Sequence, residues 1–306
     1  MAPICYRKHR LNKIMFQNDS SFQPVYVETR DSADMEIETK ANVSFSGCGF
    51  IGIYHVGVSA CLKLHAPHLL QNKIGGSSAG AMAAVALVCD LSLVDVTRSV
   101  AMLAHTVNQK VLGTFNPSFS LHNMLRSNFE EILPEDVVER TRERLFVSIT
   151  RASNMTNILV HEFRDKEDVI EAVCASSYVP MMSGWGIPPR FRGELALDGG
   201  FSDNIPHLGG RTITVSPLSS DVSIHPENLY KLVNAAMPPD TRTMQEICAQ
   251  GFSDAMAYLE FSDEMKFEAS DRVLPSDMAE VFEGIIKLES SVKEDYSEEV
   301  LRDKTI

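Results

Sequence analysis

From Ala41 to Cys89 the sequence contains no aspartate, glutamate or arginine, although charged residues make up 23% of the 306-residue chain. So few solvating side chains mean that this segment has to lie in a core. Two pieces of it share one grammar. Val43 to Ser46 is a short β-prone run ending at a glycine, and a helical pattern through Tyr54, Val58, Cys61 and Leu62 follows and stops before Pro67. A short element then leads to Ile74 and into "GGSSAG", after which an apolar helix runs from Ala79 to about Cys89.

The same alternation continues downstream. "RLFVSIT", "NILVHEF", "ELALDGG" and "RTITVSP" read as strands, and "DKEDVIEAVCAS" reads as a helix with Val169, Ile170 and Val173 on one face and acids in its first turn. Strands alternating with helices predict an α/β fold, a mainly parallel sheet covered by helices. Farther on, Met244, Ile247, Cys248, Gly251, Phe252, Ala255, Met256 and Leu259 recur at three- and four-residue steps, which predicts a helix laid on the core. A second, acidic helix through Met278, Val281, Phe282, Ile285, Ile286 and Val292 is expected to dock on the body.

Charge and composition remove several function classes. A net charge of -13 and a pI near 5.2 leave no basic footprint for phosphates, so nucleic acid is not an expected partner. No run reaches the ~18 apolar residues that a bilayer span needs, so any membrane contact is expected to be peripheral. The N-terminus carries Arg7, Lys8, Arg10 and Lys13 without an apolar signal core and reads as a solvated tail rather than a signal peptide. The six cysteines form no C-x-x-C pair, which argues against a zinc site or disulfide framework and for a reducing, cytoplasmic setting. With no acidic calcium loop and no cluster of His and Cys, neither a metal nor a cofactor is expected.

Three short motifs carry chemistry. Gly76-Ser77-Ser78-Ala79-Gly80 is a G-x-S-x-G between a strand and a helix, where a sharp turn flanked by small residues pushes Ser78 outward at the positive end of the helix. Gly47-Cys48-Gly49-Phe50-Ile51-Gly52 fits the dinucleotide pattern G-x-G-x-x-G, but the ribose-binding acid about 20 residues later is missing, as is an arginine for a phosphate. The same loop suits an oxyanion hole built from the Gly47, Cys48 and Gly49 amides. In "LALDGGFSDNIP" an apolar strand delivers Asp198, followed by Gly199 and Gly200, to a strand end, where it could orient a base or itself take a proton from the serine. His207, soon after, keeps a Ser-Asp-His triad open at this point. Just ahead of Asp198, Val179, Met181, Met182, Trp185 and Ile187 could line a groove for an acyl chain.

Taken in this order, the motifs resemble the patatin-like phospholipase family, and most closely its adipose triglyceride lipase branch, through "SFSGCGFIGIYHVGVSACL", "HAPHLL", "NPSFSL", "PPRFRGELALDGGFSDNIP" and "ITVSP". The resemblance spans roughly Asn42 to Ser262. It implies a three-layer α/β/α sandwich and a Ser/Asp dyad, with Ser78 as nucleophile and Asp198 as base. The expected activity is hydrolysis of fatty-acyl esters, triacylglycerol first, with phospholipase A, transacylase or retinyl ester hydrolase activity as alternatives and a non-catalytic lipid-surface protein as a different class. It further implies a peripheral lipid droplet or membrane surface and allows for a protein co-activator, although no long hydrophobic C-terminal region of the kind related lipases use on droplets follows the last core-type helix. The chain then divides into a polar extension (1–40), a catalytic domain (41–217) and a helical extension with an acidic tail (218–306).

Overall fold

The computed structural model describes residues 41–262. The basic N-terminal arm and the acidic helix expected around 278–292 lie outside the described residues. Among the described residues there are seven strands: β1 (Asn42–Phe45), β2 (Ile74–Gly76), β3 (Leu145–Arg151), β4 (Asn157–Val160), β5 (Arg190–Phe191), β6 (Glu194–Asp198) and β7 (Thr212–Val215). The α-helices are α1 (Ile53–His65), α2 (Ala79–Val88), α3 (Leu93–Asn108), α4 (Leu121–Ile132), α5 (Val137–Thr141), α6 (Lys166–Ser176), α7 (Val233–Ala236) and α8 (Thr241–Phe261). Polar side chains set several helix starts. Ser92, Ser120, Asp165 and Asp240 each accept a hydrogen bond from the backbone amide three residues on.

Strands β7, β1, β2 and β3 lie side by side and parallel. The connections β1–α1–β2 and β2–α2…β3 step the same way along the sheet, so right-handed crossovers put α1 and α2 on one face. On the other side of the sheet, the loop after β6 packs against its centre, with Leu208 about 3.0 Å from where a Cβ on Gly75 would stand. The mixed α/β class with a mostly parallel central sheet is the one observed. Its antiparallel members are β4, β5 and β6, the last two closed by a two-residue turn at Arg192 and Gly193, both with positive φ.

Strand β3 organises the site. One of its edges pairs with β4 from Val147 to Thr150. Its other edge is shared: β2 pairs up to Gly76 opposite Val147, and β6, running the other way, pairs from Ala196 opposite Arg151 to Asp198 opposite Ile149. Two strands therefore meet head-on along one edge. The last residues of each, Gly76 and Asp198, come together with only Ser148 between their partners.

The helix read from the three- and four-residue pattern is α8, which buries Met244, Ile247, Cys248, Gly251, Phe252, Ala255 and Leu259 and packs along α1. The two helices touch backbone to backbone. A Cβ on Gly57 of α1 would lie 1.9 Å from the Cys248 carbonyl oxygen, and one on Gly251 of α8 would lie 2.2 Å from that of Tyr54. Gly57→Ala is expected to lower unfolding free energy by about 1–3 kcal/mol through overpacking. Gly184→Ala, where the nearest atom is 3.6 Å away, should change it by less than about 0.5 kcal/mol in the same urea titration.

Candidate active site

Ser78 caps α2 with φ 53° and ψ -124°, a conformation that L-residues seldom adopt. Small residues permit the bend. Cβ atoms on Gly76 and Gly80 would lie 2.5 and 2.2 Å from the Phe45 carbonyl oxygen at the end of β1, so the elbow can sit against that strand only while both stay glycine. The Ser78 amide donates to Ser176 Oγ at 2.8 Å, and Ser176 Oγ donates to the Ser148 carbonyl at 2.7 Å.

Asp198 is brought to the same point. Its amide donates to the Tyr178 carbonyl and its own carbonyl accepts from Thr150 Oγ1, which fixes the backbone of the strand end. Its carboxylate accepts from the Gly200 amide at 2.7 Å and faces the Ser78 hydroxyl. Burial pushes this carboxyl up to about 6, against the opposing pull of those two donors. Gly199 is confined by the Ser148 carbonyl, 2.1 Å from where its Cβ would be.

Of the three amides expected to hold an oxyanion, Gly47 departs from expectation. Its N–H donates to Asn204 Oδ1 at 2.9 Å and to Ser77 Oγ at 3.1 Å, so it serves the scaffold. The amides of Cys48 and Gly49 meet no acceptor among the described residues, nor does that of Ala79 at the first turn of α2. Gly49 (φ 55°) is also confined by α7, because a Cβ there would lie 2.1 Å from the Ala235 carbonyl oxygen. Gly52 lets this loop close onto the elbow, its would-be Cβ 2.8 Å from that of Ala79. Ser77 donates to Asn204. Asn204 thereby ties the loop, the elbow and the turn after β6 together.

His55 is buried, with Nε2 at 2.8 Å from the Ser46 carbonyl and 3.2 Å from Cys48 Sγ. Burial pulls its imidazole down to about 4, which keeps it neutral, and desolvation together with the nearby Asp198 charge pushes the Cys48 thiol far up. His207 lies exposed, its Nδ1 accepting from the Gly209 amide; the groups acting on the Asp198 carboxylate are Ser78 and Gly200.

A pocket with a cavity volume of about 100 Å³ opens at Ser78 and Ala79. The groove expected from the segment before Asp198 is only in part the wall found. Met182 lines the pocket, whereas Met181, Trp185 and Ile187 are exposed and Val179 is half-buried beside them. The apolar wall comes from Ile53 and Val56 of α1, Val96, Val100 and Leu103 of α3, and Leu121 and Leu125 of α4. No short motif marks α3 and α4 in the sequence. Among the described residues no group of His, Cys, Asp and Glu could hold a metal ion, no helix is long and apolar enough to cross a membrane, and the five cysteines are all buried and free.

Residues 43–209 match the family model described as patatin-like phospholipase. Over 247 residues the chain is 38% identical to the Mus musculus protein 1-acylglycerol-3-phosphate O-acyltransferase Pnpla3, covering 73% of this chain and 60% of that one. Over 246 residues it is 37% identical to patatin-like phospholipase domain-containing protein 2 of Mus musculus, covering 72% and 50%. The chain thus spans between half and three-fifths of the length of these relatives. A solved structure, VipD from Legionella pneumophila, matches with a TM-score of 0.44 at 12% identity, over 83% of this chain and 75% of that one.

Keeping Asp198 ionised in this place has a cost that pH should reveal. Its folded pKa is raised from 3.8 to about 6, so the stability linked to its protonation is present below about 4 and lost as pH rises through 6. Asp198→Asn should therefore unfold later than the wild type at pH 8, by up to about 3 kcal/mol, with the advantage vanishing toward pH 4 in parallel denaturation curves.

Proposed function

The chain belongs to the patatin-like phospholipase family, and from that premise we propose that it is a serine-dependent lipid acyl hydrolase that cleaves triacylglycerol through a Ser78/Asp198 dyad. One observation carries the reading. A buried carboxylate with a pKa near neutrality faces a serine held on a strained elbow, at the mouth of an apolar pocket.

The chemistry follows from these positions. With an acyl chain in the pocket, the ester carbonyl lies over Ser78. Asp198 takes the hydroxyl proton as Oγ attacks, and the free amides of Cys48, Gly49 and Ala79 receive the negative oxygen. Asp198 returns the proton to the leaving alcohol, which departs and leaves an acyl-serine. It then takes a proton from water, which attacks that ester, and passes it to Ser78 Oγ as the bond to the acyl group breaks and the fatty acid leaves. The neutral, buried His55 holds the loop and takes no proton in these steps. Exposed Met181, Trp185 and Ile187, beside Met182 of the pocket wall, suit contact with the droplet or membrane surface from which the substrate comes.

A second reading, transacylation, shares the first half of this cycle, with an acylglycerol hydroxyl replacing water; the acyltransferase name of one relative favours keeping it. Product analysis of wild type and Ser78→Ala on emulsified triolein, phospholipid and retinyl ester separates the readings. Release of free oleate from triolein, reduced at least about 1,000-fold in Ser78→Ala, is expected. Acyl groups recovered on acylglycerol acceptors instead would favour the second, and a wild type no faster than Ser78→Ala would end both. The kcat/KM of the wild type should rise with pH through about 6 as Asp198 ionises. His207→Ala should keep its rate within about threefold, since a loss approaching that of Ser78→Ala would put a histidine into the mechanism.

A further inference from the structure

The head-on meeting of β2 and β6 leaves a gap on the edge of β3 at Ser148, the residue between those opposite Gly76 and Asp198. A carbonyl in such a gap has no ladder donor, and a buried one requires a partner. The partner is a side chain. Ser176, the last residue of α6 and fully buried, donates its hydroxyl proton to the Ser148 carbonyl at 2.7 Å and presents a lone pair to the Ser78 amide, which donates to it at 2.8 Å. The same Ser148 carbonyl stands against Gly199, next to Asp198. One peptide group of β3 is therefore touched on one side by the residue after the base and on the other, through a single hydroxyl, by the amide of the nucleophile.

We propose that Ser176 is a positioning residue: its hydroxyl substitutes for the missing ladder bond, holds Ser78 in its strained conformation and fixes the separation between Ser78 Oγ and Asp198. The proposal rests on the hydrolase reading above. Its neighbour Ser177 bonds differently, donating to the Val173 carbonyl one turn back in its own helix. A packing role asks only for volume at position 176. A positioning role asks for an oxygen that both donates and accepts, because without it the Ser78 amide and the Ser148 carbonyl each lose their partner and the elbow can relax away from Asp198.

The test uses Ser176→Ala, Ser176→Cys and Ser176→Thr in the full chain. Three measurements are made on each: kcat and KM on p-nitrophenyl butyrate, the rate of covalent labelling of Ser78 by a fluorophosphonate probe, and the melting temperature. Ser176→Ala should lose about 10- to 100-fold in kcat and in labelling rate with KM within about twofold. Ser176→Thr, which keeps the hydroxyl, should return to within about threefold of wild type, and Ser176→Cys, a weaker donor and acceptor, should fall between them. Wild-type kcat and labelling in Ser176→Ala would overturn the proposal, as would equal losses in all three variants or losses that track melting temperature instead of the hydroxyl. A wild type that labels no faster than Ser78→Ala would overturn the hydrolase reading and the proposal with it.

Discussion

Two strands of opposite direction end against each other on one edge of β3, and the rest of the site depends on that collision. A continuous ladder there would carry a single strand past the middle of the sheet. The head-on arrangement instead brings two chain ends to one place, and chain ends are where a backbone can turn out of the sheet. At the end of β2 the turn becomes the elbow of Ser78, and at the end of β6 it becomes the Asp-Gly-Gly turn of Asp198. Ser78 and Asp198, the proposed nucleophile and base, are thus juxtaposed by register, a property of rigid strands, which gives tighter control than loops could provide.

Such a junction leaves polar groups to satisfy, and the chain satisfies them with short hydroxyls and two side-chain amides. Ser148, Ser176, Thr150, Ser202, Asn157 and Asn204 bond to one another's neighbourhoods at distances between 2.6 and 3.3 Å. Asp198 is the member that this network does not fully compensate, since burial outweighs the two donors facing its carboxylate. That imbalance is what makes it suited to accept a proton near neutral pH in the proposed mechanism. A carboxylate compensated like Asp168 would be useless as a base: burial raises that group too, but Arg192 and Arg164 bonds hold it well below the usual carboxylate range.

How much of this could be read from the residues depends on the range over which each feature is encoded. G-x-S-x-G, the glycine loop and D-G-G are local, because each needs small residues within a few positions to let backbones approach, so Ser78, Asp198 and the loop from Cys48 to Gly52 were legible. Helix α8 was legible from its period. Gly47 was misjudged as a free donor because its acceptor, Asn204, lies 157 residues away, and spacing says nothing of such partners. Ser176 gave no signal for the same reason: its two bonds reach 98 and 28 residues along the chain. The segment nearest Asp198 in sequence, with Met181, Met182 and Trp185, supplies only part of the pocket wall because the chain there turns outward, with Ile187 82% exposed. The apolar faces of α3 and α4 are what reach the nucleophile, and tertiary packing alone decides which faces meet.

The chemistry and the selectivity therefore rest on different parts of the fold. The reacting groups hang from strand ends and from the first turn of α2, held by backbone contacts that a single methyl group would disturb, as at Gly49, Gly80 and Gly199. The pocket walls are ordinary aliphatic side chains on α1, α3 and α4, where volume-conserving exchange costs little. Substitutions in those walls can change which acyl chain fits while the Ser78–Asp198 geometry stays fixed. In the proposed mechanism a site divided in this way would allow hydrolysis and acyl transfer, or one lipid ester and another, to be exchanged within a single scaffold, because the apolar side chains of α1, α3 and α4 line the pocket while Ser78, Asp198 and the amides of Cys48, Gly49 and Ala79 stay fixed by the backbone.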